Sequence, residues 1–370
     1  MIVKKRKVGF LIQDMANLGG TERSASIIMN GLAESNDVYL IEAYSRGKSA
    51  FSLNDSIKSF SLFKSRKSLI SAYILYVHKL YNLIKFMKLD VLVIVESTHA
   101  LYGILATKMA GIRCIVWEHF NFNVDLGKKK RRVARYIAAK YADDIVVLTS
   151  RDREIWKEKT DAGDRITVIP NAIPDLNNIQ YNKDARTVVA IGRLTFQKGF
   201  DHLLLIWDIL KKDNPSNDWT LKIVGDGPEA VNLKCNSLKI PDVQFLPSQE
   251  NVASIYKDAG IVVLTSRYEG LPMVLLEAAS VGIPIVAYDC ETGPGEIVED
   301  NKTGYLIKPF DINGFASKLL TLMSDNNLRE FFSHNAKESA LKFSQTPIIN
   351  QWQKILETPH SVSSFKQDDD

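Results

Sequence analysis

Residues 261–288 read IVVLTSRYEGLPMVLLEAASVGIPIVAY. A β-branched run, Ile261–Thr265, gives way to a turn through Gly270-Leu271-Pro272, and a helical stretch begins at Met273. A second apolar run, Ile285–Tyr288, closes the unit. Strand, turn, helix and strand in that order make a parallel βαβ crossover. Proline suits a helix start, because the N–H it lacks had no partner there in any case. The free amides of the first turn form a positive end that can hold a phosphate or a sugar hydroxyl. Two carboxylates bracket that end. Glu269 stands just before the turn and Glu277 about one turn into the helix, with seven residues between them.

The same alternation runs outward in both directions. Apolar strands are predicted at Val8–Gln13, Val38–Ala43, Val91–Val95, Cys114–Glu118, Ile145–Thr149 and Ile166–Ile169. After a polar stretch from Asp175 to Arg186 the pattern restarts with Thr187–Gly192, Thr220–Val224, Val243–Phe245, Ile261–Thr265, Ile285–Tyr288 and Tyr305–Ile307. Near-continuous apolar strands separated by helices mean parallel sheets covered on both faces. The fold class is α/β, with two doubly wound domains facing across a cleft. Their ligands belong at the carboxyl ends of the strands. The expected division is 1–180 and 181–345, with a helix at about 346–358 packing back on the first domain and a flexible tail over 359–370.

The chain's 370 residues exceed what one core usually supports, and 45% apolar with 24% charged residues describes an ordinary folded protein. Cys114, Cys235 and Cys290 show neither disulfide nor zinc spacing, which suits a reducing compartment. The run Val8–Ile12 after Lys4-Lys5-Arg6-Lys7 is too short for a signal peptide, and no run reaches the roughly 20 apolar residues of a membrane span. The expected location is therefore cytoplasmic. Charge divides unevenly: residues 1–180 carry 28 Lys and Arg against 18 Asp and Glu (net +10), and residues 181–370 carry 19 against 25 (net −6). Two units with different partners are implied. Anionic lipid, a phosphate-bearing acceptor and nucleic acid all fit a basic half, though no string resembles a nucleic-acid motif.

Further motifs fall at predicted strand ends. AIGRLTFQKGFDHLL (190–204) places Arg193 and Lys198 before a helix, a planar fork and a mobile point charge that together can clamp a diphosphate. IVGDGPE (223–229) holds Gly225 and Gly227 in a tight turn. NLGGTE (17–22) lets Gly19 and Gly20 approach a ligand closely, with Thr21 positioned to cap a helix. It lacks the GxGxxG of a dinucleotide fingerprint. WEHFNF (117–122) puts His119 at a strand's carboxyl end, and VIPNAIP (168–174) offers Asn171 near the domain junction. In CETGPGEIVEDNKTGYLI (290–307) the Gly293–Gly295 backbone can reach a ligand, and Glu296 is expected to cap the following helix.

These motifs, in this order over about residues 8–345, resemble the retaining glycosyltransferases of family four, which have the GT-B fold of two Rossmann-like domains. The resemblance implies that 1–180 binds the acceptor and 181–345 the nucleotide-sugar donor, where Glu277 binds a nucleotide ribose and Glu269 lies against the donor hexose. It gives Arg193 and Lys198 to the diphosphate, His119 to a sugar hydroxyl, and Gly225 to the base-binding loop. Gly19 and Gly20 would reach the donor phosphate, beside Gly270, Leu271, Pro272, Met273 and Val274. The implied catalytic set is His119, Glu269, Arg193 and Lys198. No Asp-x-Asp pair stands in a cleft motif, so neither metal nor cofactor is expected, and the nucleotide sugar is a substrate. The EGLPM string and the TGP loop resemble the branches that use UDP-hexoses and UDP-N-acetylhexosamines. The implied activity is transfer to a lipid-linked oligosaccharide in bacterial surface polysaccharide assembly, such as O antigen, lipopolysaccharide or capsule. A sugar-nucleotide epimerase of the same fold and an inactive nucleotide-sugar-binding module are the alternatives. The stretch LISAYILYVHKLYNLIKFMK (69–88), with Lys64–Lys67, Lys128–Arg132 and Arg135, is read as peripheral contact with an anionic membrane at its inner face.

Overall fold

The computed structural model describes residues 5–176, 178–214, 217–249 and 252–358. The tail expected over 359–370 lies outside the described residues. The amino-terminal half runs β1 (Lys7–Ile12), α1 (Gly20–Ala33), β2 (Asp37–Tyr44), β3 (Lys58–Phe63), α2 (Tyr73–Met87), β4 (Val91–Val95), α3 (Ala100–Ala110), β5 (Arg113–Trp117), α4 (Lys129–Tyr141), β6 (Asp144–Val147), α5 (Ser150–Lys159) and β7 (Ile166–Val168). The carboxyl-terminal half runs β8 (Thr187–Ile191), α6 (Phe200–Asp213), β9 (Thr220–Val224), α7 (Ala230–Ser237), β10 (Val243–Leu246), α8 (Ala253–Lys257), β11 (Ile261–Leu264), α9 (Met273–Val281), β12 (Ile285–Tyr288), α10 (Pro294–Ile297), β13 (Gly304–Ile307), α11 (Ile312–Ser324), α12 (Asn326–Ala340) and α13 (Gln345–Glu357).

The first sheet has seven strands ordered β3-β2-β1-β4-β5-β6-β7, and the second has six ordered β10-β9-β8-β11-β12-β13. All pairings within both sheets are parallel. Strand β3 is the element that sequence patterning missed. It is an edge strand, KSFSLF, with only its last two residues buried, so it lacks the apolar run of its neighbours. Central strands show the opposite: all five residues of β4 are buried, as a sheet covered on both faces requires. In each sheet the strand order reverses at one point, between β1 and β4 and between β8 and β11. Such a switch point opens a crevice at the strands' carboxyl ends.

Helix α9 is apolar nearly all round, with Met273, Leu275, Leu276, Ala278, Ala279 and Val281 buried. Glu277, its one charged residue, is buried with them. A carboxylate has no place on such a helix without a partner or a ligand. The chain passes between halves twice. It crosses first after β7 and again between α12 and α13, and the two crossings meet where the Ile173 N–H donates to the Phe343 carbonyl at 2.9 Å. Helix α13 then lies against the first half: Trp352 packs on Trp117 (ring centroids 4.8 Å) and Phe10 (6.4 Å), and Arg113 Nη1 donates to the Ile355 carbonyl at 2.6 Å.

Candidate active site

The two crevices face one another and enclose a cleft of about 770 Å³, lined by loops from both halves. On the carboxyl-terminal side, the loop after β8 brings Lys198 to Glu269, with Nζ 2.6 Å from Oε1. Arg193, on the same loop, is exposed and lines the cleft. The loop after β9 holds Gly225 at φ +150°, where a Cβ would stand 2.0 Å from the Gly192 carbonyl oxygen. Glycine there lets the β8 and β9 loops touch. Past β11 the chain makes the Gly270–Pro272 turn into α9. A Cβ on Gly270 would lie 2.1 Å from the His119 carbonyl oxygen, so this glycine sets how closely the two halves approach. Leu271, Pro272, Met273 and Val274 line the cleft beside it.

Glu277 reaches back from α9. Its Oε2 accepts from the Tyr256 hydroxyl at 2.7 Å, and its Oε1 lies 2.9 Å from Arg23 Nη1. Arg23 belongs to α1, so this ion pair spans the cleft. Burial raises the Glu277 pKa while Arg23 pulls it down; burial, followed by the Glu277 charge, pushes the Tyr256 phenol well above its ordinary range.

On the amino-terminal side, Gly19 and Gly20 line the cleft at the start of α1. Helix α1 begins at Gly20 with Gly19 as its N-cap, which places Thr21 inside the helix and corrects the expected capping role. Asn171 ties three segments together: Oδ1 accepts from the Ser24 hydroxyl at 2.7 Å and Nδ2 donates to the Leu271 carbonyl at 3.2 Å. His119 follows β5 and is 7% exposed, and its Nε2 has no hydrogen-bond partner among the described residues. Burial lowers its pKa to about 4 against a small opposing pull from Glu118, so the ring is neutral near pH 7. The loop carrying it is anchored from beneath. Glu118 Oε1 accepts the backbone N–H groups of His119 and Phe120 at 3.0 and 3.1 Å. Glu118 Oε2 accepts from Ser97 and from Arg135 Nε. Burial opposes ionisation of Glu118, but Arg135, Arg131 and Ser97 outweigh it and hold the carboxyl below its ordinary range.

Two expectations change here. Arg135 and Arg131 were read as part of a membrane-facing basic run, yet they are 0% and 6% exposed. Arg135 donates to the Phe122 and Val124 carbonyls as well as to Glu118, and Arg131 pairs with Glu96. A helix period of 3.6 residues turns these two inward while Lys128, Lys129, Lys130 and Arg132 stay outside. Glu296, expected to cap the helix that follows it, lies inside α10 and accepts the Ser150 and Arg151 N–H groups at 2.7 and 3.3 Å, and so caps α5 of the other half. Beside it Arg151 pairs with Asp289 at 2.7 Å. Gly293, at φ +101°, packs against the Gly270 carbonyl.

The structure therefore gathers Gly19, Gly20, His119, Arg193, Lys198, Gly225, Glu269, Gly270, Leu271, Pro272, Met273, Val274 and Glu277 around one cleft. Reading motifs missed Arg23, Glu96, His99 and Tyr256. Arg23 adjoins the NLGGTE string and was within reach; the others stand alone in the sequence.

Two doubly wound sheets meeting at such a cleft are the GT-B arrangement. The chain belongs to glycosyltransferase family 4: the model of that family matches residues 18–175, and the model described as glycosyl transferases group 1 matches residues 175–339. An uncharacterized glycosyltransferase of Haemophilus influenzae is 33% identical over 356 residues, covering 95% of this chain and 100% of the relative. The UDP-Gal:alpha-D-GlcNAc-diphosphoundecaprenol alpha-1,3-galactosyltransferase of Escherichia coli is 28% identical over 308 residues, 75% of this chain and 77% of that one. The crystal structure of Anabaena Alr3699/HepE in complex with UDP-glucose shares the fold, with a TM-score of 0.78 at 18% identity over 95% of this chain and 99% of that one. Family membership favours a transferase over the epimerase and inactive-module alternatives.

Proposed function

We propose that the protein transfers a hexose or N-acetylhexosamine from a UDP-sugar, with retention and without a metal, to a lipid-linked acceptor in bacterial surface polysaccharide assembly. The observation that carries this reading is the meeting of Lys198 with Glu269 on the wall that also buries Glu277, across the cleft from His119, whose Nε2 has no partner among the described residues. Glu277 is the acceptor for a ribose diol. Arg193, Lys198 and the free amides at the start of α9 take up charge as the diphosphate leaves. Neutral His119 hydrogen-bonds a hydroxyl of the donor sugar. Glu269 is held by Lys198, which suits it to orienting the sugar and the lysine more than to attacking the anomeric carbon. Retention then follows a front-face course, in which a diphosphate oxygen takes the acceptor's proton as the glycosidic bond forms. The UDP donor and diphosphoundecaprenol-linked acceptor named for the Escherichia coli relative support the substrate classes.

Release of UDP or GDP across a panel of sugar nucleotides tests the donor. Activity confined to GDP-sugars overturns it. Proton NMR of the product tests the stereochemistry, since an inverted anomeric linkage excludes retention. Among the described residues no helix is long and apolar enough to cross a membrane. Peripheral contact at the inner face is supported by α2 and α3, which expose Ile74 (80%), Phe86 (75%), Leu75, Leu105 and Met109 near Lys64, Arg66, Lys67 and Lys85. Flotation with anionic liposomes at low salt checks it, and a protein that stays at the bottom of the gradient refutes it.

A further inference from the structure

Beside the cleft the two halves meet along a polar seam that no step of the proposed transfer uses. Three carboxylates, Asp289, Glu291 and Glu296, fall within eight residues of the segment after β12. The first half meets them with the start of α5. Glu296 Oε1 accepts the Ser150 and Arg151 N–H groups, which a helix start leaves without partners of its own. Arg151 holds Asp289 with both ends of its fork, at 2.7 and 3.3 Å. Gly295 leaves room for that pair, since a Cβ there would stand 2.9 Å from both Arg151 Nη2 and Asp289 Oδ1. Asn123 Nδ2 donates to Glu291 Oε1 at 2.6 Å, and Lys159 donates to Asn123 Oδ1. A lone exposed ion pair contributes little, but a bidentate arginine joined to further bonds acts as a network.

The same segment reaches the candidate active site. Between its acidic residues stands Thr292, fully buried, whose hydroxyl donates to the Glu269 carbonyl at 2.6 Å. From the other half Asn121, 1% exposed, donates to that same carbonyl through Nδ2 at 3.4 Å. Asn121 also accepts the Asn123 and Val124 N–H groups at 3.0 and 3.1 Å, in the loop that carries His119. The Glu269 peptide is thus gripped from both halves. We propose that Arg151, Asp289 and Glu296 are positioning residues for the transfer. They dock the acidic segment on α5, and through Thr292 that docking sets the Glu269 main chain against the His119 loop. The Arg151 and Asp289 side chains are 46% and 32% exposed, so dissolved salt loosens the dock. None of the three lines the cleft, so the nucleotide site keeps its affinity when the segment loosens. The proposal rests on the reading of Glu269 as a residue that faces the donor sugar.

The test uses the full chain and the sugar nucleotide that the donor panel selects. Calorimetry gives UDP affinity, and UDP release gives kcat and KM, for the wild type, Arg151→Gln, Asp289→Asn, their double variant, Glu296→Gln and Glu296→Ala. Each single variant at 151 or 289 should lower kcat about fivefold with UDP affinity held within about twofold, and the double variant should be no slower than either. Glu296→Ala should lose about tenfold in kcat. Glu296→Gln keeps an oxygen for the Ser150 and Arg151 amides and should recover most of that loss. Raising NaCl from about 50 to about 500 mM should slow the wild type and leave the double variant nearly unmoved. Hydrogen exchange over residues 289–297, recorded without donor, should quicken in Glu296→Ala, which reads the docking apart from catalysis. Wild-type kcat in Glu296→Ala overturns the proposal, as do losses at 151 and 289 that multiply in the double variant. So does a fall in UDP affinity that matches the fall in kcat, which would mean a general loss of structure. A wild type that binds no UDP, or releases none from any sugar nucleotide, removes the donor reading and this proposal together. Normal UDP binding and release with any of the other contrary results removes the positioning role alone.

Discussion

The two walls of the cleft are built from the same kind of sheet but satisfy their polar groups differently. On the carboxyl-terminal wall they pair within the wall, Lys198 with Glu269 and Glu277 with Tyr256. On the amino-terminal wall His99 and His119 each present a buried nitrogen with no partner among the described residues. Arg23 reaches across to Glu277. A wall whose charges are already balanced is preorganised to bind. A wall with orphan donors and acceptors waits for the groups that react. On the proposed reading, the contrast gives nucleotide binding and the leaving diphosphate to the second half and the contact of His119 with the reacting sugar to the first.

Four measurements break or sharpen that contrast. Glu277→Ala strikes the binding wall and leaves Arg23 unpaired, so UDP affinity and turnover should each fall about 10³-fold, roughly 4 kcal/mol. Calorimetry and UDP-release assays check this, and near-normal binding would remove Glu277 from the site. The second concerns protons. His119 has its pKa lowered to about 4, so between about pH 4 and 6.5 the unfolded chain binds a proton that the folded chain does not. Its stabilising contribution is complete above pH 6.5 and is lost as pH falls through 4, on the order of 3 kcal/mol. Urea titrations of wild type and His119→Asn should converge in stability on acidification; parallel curves would mean the ring is not buried and neutral. Third, His119→Asn should lower kcat by about 10² while leaving UDP affinity unchanged. Weakened UDP binding there would erase the division between walls. Smallest is Arg23→Gln, expected to weaken UDP about tenfold, near 1.4 kcal/mol, because Glu277 loses the cation that favours its charged form.

The binding wall was the more legible in the sequence, and the reason is geometric. A strand, a turn and a helix in immediate succession place Glu269, Gly270 and Glu277 within a few residues, so one string displays the centre of the wall. The other wall draws on the ends of β1, β4 and β5, and only the tertiary fold brings Glu96, His99 and His119 together. Doubly wound topology was readable because buried parallel strands are apolar throughout, whereas the half-exposed β3 was not. Runs of charge misled for a related reason: composition weighs Arg131 and Arg135 with their neighbours, although the helix turns them toward Glu96 and Glu118. Glu296 looked like a local cap because its true partners, the Ser150 and Arg151 amides, lie in the other half.

Helix α13 carries a consequence for how the chain is made. Trp352 is fully buried against Trp117 and Phe10 of the sheet that a ribosome finishes first, and Ile349 presses on Gly31 of α1. The first sheet therefore acquires its last covering helix only after the second half has been made. Until then an apolar face of the first sheet stands open, and halves that look like independent domains cannot mature one after the other. A stop codon ahead of Gln345 would spare every residue of the cleft and still leave the amino-terminal half without its lid.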